Sequence, residues 1–171
     1  REYARILTAQ LAKTPRFSGI INQQYIDDIY QSSILHDIGK VGTPDRLLLK
    51  PGELTEEEFE TIKRHTLMGG NALKAIESQI EGKSFLAMGK EIAYNHHEKW
   101  DGTGYPRGLK GEEIPLSARV FAIVDVWDAL CSDRPYRPAW SKEKARAYIK
   151  DEAGRHFDPQ VVEAFLALIQ L

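Results

Sequence analysis

Tyr3, Ile6, Leu7 and Leu11 share one helical stripe, which Pro15 stops. Ile26, Ile29, Tyr30, Ser33 and Ile34 form a second stripe, expected to end near Gly39. Residues 41–54 hold Gly42, Pro44, Pro51 and Gly52, so they read as a connection with one short helix from Asp45 to Leu49. Thr55-Glu56-Glu57-Glu58 has the form of a capping box. The helix it opens is expected to run on through Phe59, Ile62, Leu73 and Ile76. Another begins near Lys83 and carries Phe85, Leu86, Gly89, Ile92 and Ala93. Residues 98–115 contain four glycines and two prolines and read as a loop. Ser117 is placed to cap "ARVFAIVDVWDALC", a nearly all-apolar helix and therefore a central one. Ser141 caps the next, and Asp158-Pro159 opens the last, through Leu168. No segment alternates with period two, so the fold class is all-α, a single helical-bundle domain over residues 1–171.

Composition narrows the function classes. The net charge of −2 provides no basic field for nucleic acid and no polybasic surface for anionic lipid. A single cysteine, Cys131, excludes an internal disulfide and fits a reducing, cytoplasmic setting. No run approaches the roughly 18 apolar residues of a membrane span. The chain opens on Arg1-Glu2-Tyr3, already in helical rhythm, and reads as a fragment whose first helix is truncated.

The informative feature is polar. His36 and Asp37 follow the second stripe, His65 lies three residues after Ile62, His96 and His97 continue the stripe of Gly89 and Ala93, and Asp125 sits amid Val124, Val126 and Trp127. These six metal-capable groups are expected to face the interior from four helices. A lone core histidine is more often a hydrogen-bonded structural residue than a ligand. Six such groups buried together are different, because unpaired buried charge is costly and central cations remove that cost for all six at once. Imidazole and carboxylate without thiolate, in a number too large for one tetrahedral zinc, point to two or more ions of iron or manganese. Two closely spaced ions suit displacement at phosphorus.

The motifs "LHDIGKVGTPDRLLLKPGELTEEEF", "HHEKWDGTGYPRGLKGEEIPLSARV" and "DVWDALCSDRPYR" together resemble the HD-GYP group of the HD phosphohydrolase superfamily, over nearly the whole chain. The resemblance implies a bacterial, metal-dependent phosphodiesterase that hydrolyses cyclic di-GMP to linear pGpG, with a second cut giving GMP. It implies His36, Asp37, His65, His96, His97 and Asp125 as ligands, with Asp37 bridging two ions. Lys40 would approach a phosphate oxygen, Arg134 and Arg137 would bind phosphate or guanine, and Gly104-Tyr105-Pro106 would shape the cleft wall. Some members hold a third ion with a Glu and a His from ahead of Arg1, so both two and three ions stay open. An upstream receiver or sensor domain, a diguanylate cyclase (GGDEF) partner docking on the GYP loop, and a homodimer through the first helix are further expectations. The alternatives are an HD hydrolase of another cyclic dinucleotide or nucleotide phosphate, or a metal-containing module that signals by docking.

Overall fold

The computed structural model describes residues 1–80, 85–133 and 138–169. The helices in chain order are α1 (Glu2–Leu11), α2 (Gln23–Ser32), α3 (Asp45–Leu48), α4 (Glu56–Lys63) and α5 (His65–Glu77). They are followed by α6 (Phe85–Asn95), α7 (Leu116–Cys131), α8 (Lys142–Asp151) and α9 (Pro159–Leu168). Among the described residues β pairing is limited to one isolated bridge, between Ala153 and Phe157. The start expected near Lys83 lies outside the described residues.

The apolar α7 is central, as its pattern predicts. Val120, Phe121, Ile123, Val124 and Trp127 are buried in one core with Leu7 and Leu11 of α1, Ile29 of α2, Ile92 of α6, Ile149 of α8 and Phe165 of α9. Burying a side chain of this kind contributes about 1.5–3 kcal/mol. Several predicted caps are present. Thr55 Oγ1 accepts from Glu58 N while Glu58 Oε2 accepts from Thr55 N, Ser141 accepts from Lys144 N, and Asp158 accepts from Gln160 N.

Three expectations need correction. Ser117 does not cap α7, which starts two residues earlier than expected, at Leu116 with Pro115 at its N-cap. The Ser117 hydroxyl instead donates to Glu91 Oε2 at 2.8 Å. The second helix stops at Ser32 rather than near Gly39. Ser32 Oγ donates to Asp28 O at 2.6 Å and Ser33 Oγ to Ile29 O, so two hydroxyls in succession take carbonyls four residues back. The chain then tightens into 3-10 turns at Ser33–Leu35 and Ile38–Gly42. The long helix from Thr55 is two helices broken at Arg64, whose N–H donates to Thr61 O at 3.3 Å.

The second 3-10 turn lies directly on α5. A Cβ on Gly39 would sit 1.9 Å from His65 O and 2.5 Å from Gly69 N. Only glycine lets these backbones meet, and their meeting brings Asp37 to His65.

Candidate metal centre

The six groups come less from helix faces than from helix ends. His36 and Asp37 lie between the two 3-10 turns, His65 is the first residue of α5, and His96 and His97 form the turn after α6. Asp125 alone is set within a helix, α7. The expectation of four inward helix faces is therefore corrected: five of the six groups sit where a helix or turn starts or stops, and backbone carbonyls three or four residues back orient three of the rings.

Three Nδ1 atoms demonstrate this. His36 Nδ1 lies 2.8 Å from Ser33 O, His65 Nδ1 2.7 Å from Ile62 O, and His96 Nδ1 2.9 Å from Ile92 O. A carbonyl only accepts, so each Nδ1 carries the proton and each Nε2 is turned to the interior. Metal-binding histidines are held in this way.

The Nε2 atoms converge on Asp37. Oδ1 is 3.3 Å from His65 Nε2 and 3.8 Å from His96 Nε2, while Oδ2 is 3.3 Å from His36 Nε2 and 2.5 Å from Lys40 Nζ. His36 Nε2 is also 3.8 Å from Asp125 Oδ1. His65, His96 and His97 place their ligand atoms within 4.8 Å of one another. The carboxylate thus divides the centre: one oxygen faces the side of His65, His96 and His97, the other the side of His36.

Electrostatics favour neutral rings on the first side. Burial lowers His96 to about 3, aided by the charges of His36 and His65. Burial lowers His97 to about 2, with His96 and His65 adding to it. His65 is lowered as well, chiefly by burial. Neutral rings with protonated Nδ1 present lone pairs at Nε2. Asp37 Oδ1 faces such lone pairs and, among the described residues, has no hydrogen-bond donor. Burial pushes the Asp37 carboxyl up, but His36 and Lys40 outweigh it and hold it well below the usual carboxylate range. His36 moves the other way: burial lowers it, and the hydrogen bond and charge of Asp37 with the charge of Asp125 more than offset that. A buried acceptor facing acceptors is unfavourable unless a cation lies between them. The donor set, its tautomers and the orphaned oxygen all fit metal ions.

The loop after His97 closes one flank. The Tyr105–Pro106 peptide is cis, and Tyr105 stacks on His97 with centroids 4.8 Å apart. A Cβ on Gly104 would fall 2.3 Å from Lys99 N. Tyr105 and Pro106 line a cleft of about 330 Å³ with Glu60, Lys63, Arg64 and Leu67. On the other flank a cleft of about 220 Å³ is lined by His36, Phe121, Asp125 and Asp128, among others. Arg134 and Arg137 lie outside the described residues. Sequence reasoning missed Glu98, whose buried carboxylate accepts from Arg107 N and Leu109 N. No periodicity marks it; its only signal was an acid directly after two candidate ligands.

Comparison with known proteins agrees with this architecture. A family model for the HD domain matches residues 5–161, so the chain belongs to the HD domain family, and it carries that family's HD-GYP motif set. A cyclic di-GMP phosphodiesterase of Vibrio cholerae is 54% identical over 168 residues, covering 98% of this chain and 34% of that protein. A 3'3'-cGAMP-specific phosphodiesterase 2 of the same organism is 43% identical over 140 residues, covering 82% of this chain and 26% of that protein. The chain spans about a third of the length of the first curated relatives it matches. An HDG"Y"P protein from Bdellovibrio bacteriovorus shares the fold, with a TM-score of 0.69 at 20% identity, over 99% of this chain and 51% of the other.

Proposed function

We propose that this chain is a metal-dependent phosphodiesterase domain that hydrolyses cyclic di-GMP to linear pGpG, with a second cut giving GMP. The observation that carries the reading is the divided Asp37 carboxylate, one oxygen facing His65 and His96 and the other facing His36. The activity of the Vibrio cholerae relative, 54% identical across nearly all of this chain, supports the substrate.

In this reading His36, Asp37, His65, His96, His97 and Asp125 hold two or three divalent ions, of iron or manganese. Such ions supply an acidified water and neutralise charge at phosphorus. Lys40 Nζ, 2.5 Å from Asp37 Oδ2 and with a side chain 40% exposed, can turn from that carboxylate to a phosphate oxygen. Arg134 and Arg137 clamp phosphate or guanine with bidentate geometry. Tyr105 and Pro106 form the wall of the 330 Å³ cleft, with Gly104 leading into it, and clefts on both flanks suit a ligand with two bases.

The 43% identity to a 3'3'-cGAMP-specific enzyme favours a second reading, a related cyclic dinucleotide as substrate. Turnover of cyclic di-GMP and 3'3'-cGAMP, on iron- and manganese-loaded protein kept free of oxygen, separates the two. Bound metal without turnover of either would leave docking as the role, with a diguanylate cyclase on the GYP loop as the proposed partner. A homodimer through α1, where Tyr3 and Ile6 are exposed, belongs to the same proposal. Among the described residues no helix is long and apolar enough to cross a membrane, and a cytoplasmic setting is proposed.

A further inference from the structure

His97 differs from the other three imidazoles of the centre. Among the described residues its ring nitrogens make no hydrogen bond to a carbonyl, whereas His36, His65 and His96 are each held by one. The His97 ring packs against the rings of Tyr105, His96 and His65. Tyr105 lies nearly parallel to it, at 4.8 Å between centroids and 29° between planes, and His96 lies 4.0 Å away.

Tyr105 is itself held. The Phe59 ring meets it edge-on at 6.2 Å, and Lys63 Nζ sits 5.4 Å from its centroid. Its N–H donates to His97 O at 3.2 Å. The chain beyond it is fastened by Glu98, 2% exposed, whose Oε1 accepts from Arg107 N at 2.8 Å and Oε2 from Leu109 N at 3.1 Å. Both oxygens of one buried side chain are therefore spent on the loop that carries Tyr105. Glu98 and His97 are also chain neighbours, so the fastening begins at the candidate ligand itself.

We propose that Glu98 is a positioning residue: it fastens the 102–109 loop so that the Tyr105 ring braces His97, replacing the backbone carbonyl that orients the other three histidines. This rests on the reading of His97 as a metal ligand. The brace is the ring face of Tyr105, and its hydroxyl takes no part. Glu98→Gln keeps the shape but offers an amide N–H₂ to one of two backbone N–H groups, so one of the two bonds is lost. A residue that merely stabilised the loop would lower the melting temperature and leave metal affinity alone.

The test is Mn²⁺ titration, by calorimetry, of folded wild-type protein and of Tyr105→Phe, Tyr105→Ala, Glu98→Gln, the Glu98→Gln/Tyr105→Ala double variant and His97→Ala. Tyr105→Phe is expected to bind Mn²⁺ within about twofold of wild type. Tyr105→Ala and Glu98→Gln are expected to bind about 10–100-fold more weakly, the scale for losing a group that orients a ligand. The double variant should bind no more weakly than the worse single one, because Glu98 acts through Tyr105. Wild-type affinity in Tyr105→Ala overturns the proposal, as do equal losses in Tyr105→Phe and Tyr105→Ala, or losses that multiply in the double variant. Should Glu98→Gln not fold, the two Tyr105 variants decide the brace alone. Unchanged affinity in His97→Ala would instead overturn the metal-ligand reading beneath it.

Discussion

Asp37 Oδ1 lies 3.3 Å from His65 Nε2, and both atoms are acceptors. The pair is unfavourable in the bare protein and becomes an asset when a cation enters. The first prediction follows. Asp37→Asn offers an amide N–H₂ to the His65 lone pair but gives up the charge that pairs Oδ2 with Lys40 and His36, so in excess chelator it should melt below wild type. With Mn²⁺ the gap should widen, since a ligand at 100 times its Kd adds about 2.7 kcal/mol to the form that binds it. Paired melts with and without Mn²⁺ check this. A gap that Mn²⁺ leaves unchanged would mean that Asp37 serves only its protein partners and holds no metal.

Acid should destabilise the metal-free protein. His96, His97 and His156 are held at about 3, about 2 and about 4, below the ordinary 6.5, and His65 is lowered too. Between those values and 6.5 the unfolded chain binds more protons than the folded one, so stability falls as pH drops below about 6.5. Each histidine contributes up to about 1.4 kcal/mol per pH unit in that window. His36 is raised, so its contribution is complete below 6.5 and is lost as pH climbs through its folded value. One raised group against four lowered ones leaves the sum acid-labile. Urea midpoints in chelator at pH 7.5 and 5.0 measure it; equal midpoints would contradict the buried, neutral rings.

Gly39→Ala should weaken both fold and centre. The added Cβ meets backbone atoms at 1.9 Å and 2.5 Å, which cannot rotate away as a side chain would. The cost is expected at about 1–3 kcal/mol, typical of overpacking. Because the clash falls on His65 O, Mn²⁺ affinity should drop alongside the urea midpoint. A shift in the midpoint with unaltered affinity would separate the Gly39–α5 contact from the metal centre.

The helices were legible where one force decides. The apolar run of α7 had to be central, and Thr55, Ser141 and Asp158 cap as their side chains predict. The six candidate ligands stood out as polar groups close to apolar stripes, although five of them lie at the ends of helices or turns rather than on helix faces. What escaped reading was competition. Ser32 and Ser33 turn their hydroxyls onto α2 and end it early, and Ser117 bonds to Glu91 instead of capping. Glu98 escaped because its partners are the N–H groups of Arg107 and Leu109, nine and eleven residues away in a loop without period. Gly39 was visible as a residue, but its contact with His65 O joins two segments whose approach no local pattern encodes.

The most direct measurement is metal per chain together with cyclic di-GMP turnover, for wild type and Asp37→Asn loaded side by side with Mn²⁺. The account predicts at least two ions and hydrolysis to pGpG in the wild type. It predicts fewer ions and loss of most turnover in Asp37→Asn, because a neutral amide bridges two dications poorly. Full metal and full activity in Asp37→Asn would contradict a centre built on that carboxylate.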